Sequence, residues 1–147
     1  MVIYVDADGC PVVGLSIKLA KEFNIPIVAV KNYAVELRDS YAQIITVDIS
    51  LDSADYYIAN KIQKGDILIS QDHGLAAMCI AKGALAINQN GFIITPDNID
   101  GMLNTRHLNQ KLRRESKIYT KHKKRNPLDN KDFEKNLRKL IFEIEVI

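Results

Sequence analysis

Val2-Ile3-Tyr4-Val5-Asp6-Ala7-Asp8-Gly9-Cys10-Pro11 decides how this chain is read. Four apolar residues end abruptly in two aspartates spaced two apart. Gly9 permits a turn, and Pro11 suits the first turn of a helix, where its missing N–H leaves nothing unpaired. The pattern predicts a buried strand whose carboxyl end delivers carboxylates to the edge of an α/β sheet. In open sheets of this kind the ligand crevice lies beyond the carboxyl ends of the strands.

Outward from that stretch, strands and helices alternate. Val13, Ile17, Leu19, Ala20 and Phe23 predict a helix from Pro11 to about residue 23, and Ile25 to Val30 a second strand. Residues 31–42 read as a loop with a turn or two of helix. The β-branched run Ile44 to Ile49 predicts a third strand. A helix follows, opened by Ser50 to Asp55, capped by Asp52 or Ser53 and ended by Gly65. Ile67-Leu68-Ile69 is a short strand running into Ser70-Gln71-Asp72. Leu75 to Ala81 reads as a helix, Ala84 to Ile87 as a strand, and Asp97 to Leu103 as a short helix. Phe133, Leu137, Leu140, Ile141 and Ile144 form one apolar stripe on a final helix. The alternation predicts a three-layer α/β/α fold with a mostly parallel central sheet. The expected organisation is an α/β domain over 1–105, a basic segment over 106–128, and an amphipathic helix over 129–147 docked on the same domain.

A chain of 147 residues suffices for one domain with its own core. No apolar run reaches the roughly 18–20 residues that span a bilayer, so no membrane partner is expected. The first residues lack a secretory signal pattern, which predicts a cytoplasmic location, and Cys10 and Cys79 are expected as reduced thiols. Oligomeric state leaves no signal. The net charge of +2 conceals an asymmetry. Residues 106–125 hold nine Lys or Arg against one Glu, a net +8; the rest holds eleven bases against seventeen acids, a net −6.

The acids gather at predicted strand ends. Asp6 and Asp8 end the first strand, Asp52 and Asp55 open the helix after the third, and Asp72 ends the fourth. In a parallel sheet these positions share one edge. Like charges that close raise each other's pKa values, and Mg²⁺ or Mn²⁺, which prefer oxygen ligands, relieve the conflict. Two such ions would polarise a phosphodiester and activate water. Asp6, Asp8, Asp55 and Asp72 are therefore the candidate catalytic residues, and the same four with Asp52 the candidate metal ligands. For each singly, a helix cap or turn role is the plain alternative.

Asp55-Tyr56-Tyr57-Ile58, Ile67-Leu68-Ile69-Ser70-Gln71-Asp72 and Asp6 resemble the acidic motifs of PIN-domain nucleases. More closely, Asp6-Ala7-Asp8-Gly9-Cys10-Pro11-Val12, Gly65 through Asp72, Lys82-Gly83-Ala84 and Asp97-Asn98-Ile99 resemble the YaiI/YqxD family of bacterial proteins, grouped with PIN-like folds. That resemblance runs over nearly the whole chain. It implies a PIN-like fold and a metal-dependent nuclease. An acidic residue on a middle helix, also implied, has Glu36 and Asp39 as its candidates.

Arg106, Lys111, Arg113, Arg114, Lys121, Lys123, Lys124 and Arg125 are the expected nucleic-acid contacts, RNA being the expected partner. Each phosphate they neutralise releases a counterion, so binding should weaken with salt. A solvated strap is the plain alternative. Two other functions stay open: a haloacid-dehalogenase-type phosphatase using Asp6 as nucleophile, since Val5-Asp6-Ala7-Asp8-Gly9 fits that motif too, and a nucleic-acid-binding protein without catalysis. Cys10 is expected at a helix N-terminus, where the dipole lowers a thiol pKa, in a structural role. His73 is expected as an exposed residue of a helix cap.

Overall fold

The computed structural model describes residues 1–33, 36–48, 53–104 and 125–145. In chain order the elements are β1 (Ile3–Asp6), α1 (Val13–Glu22), β2 (Ile27–Asn32), β3 (Gln43–Val47) and α2 (Ser53–Lys61). Then come β4 (Ile67–Ile69), α3 (His73–Ala81), β5 (Leu85–Ile87) and β6 (Ile93–Ile94). Two helices close the series, α4 (96–104) and α5 (Pro127–Glu145).

The six strands form one sheet in the order β3-β2-β1-β4-β5-β6. The first five are parallel, and β6 returns antiparallel to β5. Period-two alternation sends side chains to opposite faces, and both are buried. Ile3, Val5, Ile27, Ala29, Ile67 and Ile69 pack with α1 and α5. Tyr4, Val28, Val30, Leu68 and Ala86 pack with α2, α3 and α4. The architecture is the expected three-layer α/β/α fold with a mostly parallel sheet.

Three local readings change. β6 is additional, a two-residue strand that the turn after β5 folds back. β2 continues to Asn32, and the described part of 36–42 holds no helix. There the Asp39 carboxylate accepts from the Tyr41 and Ala42 amides, both at 2.8 Å, an Asx-type turn that takes the place of helical bonds. The last helix starts at Pro127, because Asn126 Oδ1 accepts from Leu128 N–H while Asp129 Oδ2 accepts from Asn126 N–H. This reciprocal cap, with proline at the first helical position, fixes the start.

α5 is held by Phe133, Leu137, Leu140 and Ile141, all buried in the α1 layer. Arg138 clamps the Glu22 carboxylate at 3.0 and 2.9 Å and lies 5.6 Å from the Phe23 ring centroid. Phe133→Ala is expected to lower stability by about 3–5 kcal/mol, since a fully buried ring leaves a cavity. Phe142→Ala, which removes a half-exposed ring edge-on to Phe23, is expected to cost only about 1 kcal/mol. Urea melts of the two variants check the contrast.

Candidate active site

Strand order reverses at β1. The chain runs outward through β2 to β3, and α2 then carries it back to β4 on the other side of β1. The carboxyl ends of β1 and β4 therefore border a topological switch point, where open α/β sheets bind ligands. A crevice of about 60 Å³ opens there, lined by Asp6, Asp8, Gly9, Cys10, Ile69, Ser70, Gln71 and Gln89. That is room for a hydrated ion or a few waters.

Each wall has a local cause. Asp6 is the last residue of β1, and β4 reaches it through Ser70, whose hydroxyl donates to Asp6 Oδ2 at 3.1 Å. The Ser70 oxygen in turn accepts from the Asp72 amide at 2.9 Å. Gly9, at φ +65°, lets the chain turn so that Cys10 N–H donates to the Ala7 carbonyl. The turn leaves Asp8 Oδ1 accepting from Asn32 N–H at 3.0 Å, tying the β1 loop to the end of β2. Burial pushes the Asp6 carboxyl above its usual pKa; the Ser70 hydrogen bond opposes this, while the charges of Asp8 and Asp72 reinforce it.

The expected acids separate into three groups. Asp6 and Asp8 line the crevice, and the charges of Asp8 and Asp72 are felt at Asp6. Asp72 is the N-cap of α3, its Oδ1 accepting from Gly74 and Leu75 N–H, and it stands beside the crevice without lining it. Asp55 stands in the first turn of α2, where its charge is felt at Cys79 of α3, and it does not line the crevice. Asp52 lies outside the described residues. Among the described residues, no three His, Cys, Asp or Glu groups approach closely enough to form a protein-only metal cage. Apart from the Cys10 thiol, the side-chain groups at the crevice that could hold a metal are oxygens, which suits a hard cation retaining most of its water. Glu36 and Asp39 are exposed and line none of it.

Two other expectations need correction. Cys10 stands two residues before Val12, the N-cap of α1, at the helix N-terminus as expected, but burial raises its thiol pKa and outweighs the lowering by the Val12 amide. His73 opens α3 half-buried, with Nδ1 shielded and without a hydrogen-bond partner. Of the basic contacts, Arg106, Lys111, Arg113, Arg114, Lys121, Lys123 and Lys124 lie outside the described residues. Arg125 is seen, bound to the turn between β5 and β6. Gln89 of that turn was not foreseen, since one amide in a polar turn carries no periodicity or motif.

Among the described residues, no helix is long and apolar enough to cross a membrane. Residues 4–143 match the family described as "Uncharacterized BCR, YaiI/YqxD family". The UPF0178 protein of Alkaliphilus oremlandii is 52% identical over 137 residues, 93% of this chain and 88% of that protein. The UPF0178 protein of Natranaerobius thermophilus is 40% identical over 145 residues, 99% of each chain. No solved structure matches significantly. Similarity of this extent spans both strand ends that build the crevice, and the chain belongs to the YaiI/YqxD family.

Proposed function

We propose that the β1–β4 crevice is the active site of a Mg²⁺- or Mn²⁺-dependent nuclease that hydrolyses phosphodiesters, RNA being its substrate. One observation carries this: the carboxylates of Asp6 and Asp8 line one crevice at the switch point, with Ser70, Gln71 and Gln89 around them. Two carboxylates facing one partly buried crevice mark a candidate functional site, and a cation would offset their charge. The oxygen donors fit such an ion, which Mg²⁺-type sites hold through one or two carboxylates plus phosphate oxygens. Asp6 and Asp8 would hold it, with Asp72 adding charge. Asp55, in the first turn of α2, stands outside the crevice.

When bound, the ion supplies Lewis acidity and a water acidic enough to react near neutral pH. The protein's own groups do the positioning. Ser70 holds one oxygen of Asp6, and the Asn32 amide holds one oxygen of Asp8. The basic residues of 106–124 would draw in the phosphate backbone, with affinity falling as salt rises.

Purified protein is expected to cleave a generic single-stranded RNA with Mg²⁺ or Mn²⁺, to stop in EDTA, and to resume when metal is returned. Cleavage indifferent to EDTA would refute the proposal. Salt-sensitive RNA binding without cleavage would leave a nucleic-acid-binding protein. Turnover of p-nitrophenyl phosphate without RNA cleavage would point to a phosphatase with Asp6 as nucleophile.

A further inference from the structure

The turn from β5 to β6, residues 88–91, is braced well beyond what joining two short strands requires. Asn88 Oδ1 accepts from the Asn90 and Phe92 amides at 2.9 and 3.0 Å. Arg125 Nη1 donates to Asn90 Oδ1 and Nη2 to the Gln89 carbonyl, both at 3.0 Å. The same guanidinium is tied to α5, where Nε and Nη2 donate to Asn130 Oδ1 at 3.1 and 2.5 Å. From nearly two helical turns further along, Asn136 Nδ2 donates to the Gly91 carbonyl at 2.7 Å. A surface turn held from three sides is being held in position for something.

What it presents is Gln89, which lines the crevice with Asp6 and Asp8. The need for it is chemical. Phosphate oxygens only accept hydrogen bonds, and so do ionised carboxylates. Ser70 already gives its hydroxyl proton to Asp6. Of the residues that line it, Gln71 and Gln89 carry side-chain N–H donors, and of these Gln71 is exposed while Gln89 is half-buried. Arg125 has most of its N–H donors engaged, yet its charge is felt across the crevice at Cys10, where it opposes the carboxylates.

We propose that Gln89 is a substrate-contacting residue whose amide donates to the phosphodiester. Arg125 is its positioning residue, gripping the turn instead of a phosphate. This rests on the nucleic-acid reading above and assigns a wall of that site. Gln89→Ala leaves intact the peptide carbonyl that Arg125 binds, so it removes the contact without releasing the turn. Arg125→Lys keeps the charge and loses the planar fork.

The test measures kcat/KM for RNA cleavage, and the binding of a single-stranded RNA oligonucleotide over a range of salt concentrations. Wild type, Gln89→Ala, Arg125→Lys, Arg125→Ala and the Gln89→Ala/Arg125→Lys double variant are compared, with melting curves for each. Gln89→Ala and Arg125→Lys should each lose on the order of tenfold, as for a hydrogen bond to a charged group. The double variant should be no worse than either, since both changes remove one contact. The salt slope should stay unchanged in both Arg125 variants. Full activity in Gln89→Ala overturns the inference, whatever the Arg125 variants do. So does a wild-type-like Arg125→Lys with a slope flattened by about 0.7 in Arg125→Ala, the mark of a phosphate contact. A wild type that neither binds nor cleaves RNA overturns the nucleic-acid reading and this inference together; unaffected variants of an active wild type overturn only the second.

Discussion

Asp6→Asn is expected to melt at a higher temperature than wild type at pH 7 while losing cleavage by at least about a hundredfold. The two effects have one cause. In the unfolded chain this carboxyl titrates near 3.8, and in the fold burial and the Asp8 and Asp72 charges hold it higher. Between those values the folded protein binds more protons than the unfolded one, so stability falls as pH rises through that window. Above it, ionised Asp6 remains a standing penalty. Asparagine cannot ionise, and its Oδ1 still accepts the Ser70 hydroxyl. The gap in Tm should thus be present at pH 7 and close towards pH 3, as melts across that range would record. Mg²⁺ should raise the Tm of wild type by linkage and leave the variant unmoved. A variant less stable than wild type at pH 7 would contradict the assignment of Asp6 as a strained site residue.

Gly91→Ala is expected to destabilise the fold by about 3 kcal/mol or more, a Tm loss of roughly 6–12 °C for a chain of this size. Gly91 is buried at φ +87°, a conformation L side chains rarely adopt. A Cβ there would meet the Asp132 carbonyl carbon and oxygen at 2.6 Å and the Phe133 nitrogen at 2.7 Å. All three are backbone atoms of α5, so the helix itself must move, and the Asn136 bond to the Gly91 carbonyl goes with it. Gly9→Ala separates strain from collision. Gly9 also has positive φ, +65°, but nothing lies within 4 Å of its added Cβ, so about 1 kcal/mol is expected. Equal losses in the two variants would mean that α5 does not press on the turn as described.

What the sequence disclosed follows physical range. Residues 2–11 announced a strand, a turn and its acids because burial, proline geometry and glycine freedom act within a few residues. The amphipathic stripe of α5 was equally plain, as was the alternation that sets the layers. Strand order was not, because nothing local tells β4 to settle beside β1 rather than β3, and that choice makes the crevice. Convergence of the acids depends on the same choice. Asp72 arrives at Asp6, whereas Asp55, read as its equal, stands where its charge is felt at α3. β6 is only two residues long and too short for any periodicity. Gln89 acquires meaning only when Arg125 and Asn136, far along the chain, close on its turn.

The separation between Gly91 and Asn136, 45 residues, also has a meaning in time. At about 5–20 residues per second, a ribosome takes roughly 2–9 s to supply that brace after making the turn. Small α/β domains fold in milliseconds to seconds. For that interval a nascent chain carries every carboxylate of the crevice without the helix that steadies its far wall. On the nuclease reading proposed above, the protein would thus be made beside the messenger that encodes it with its site still incomplete.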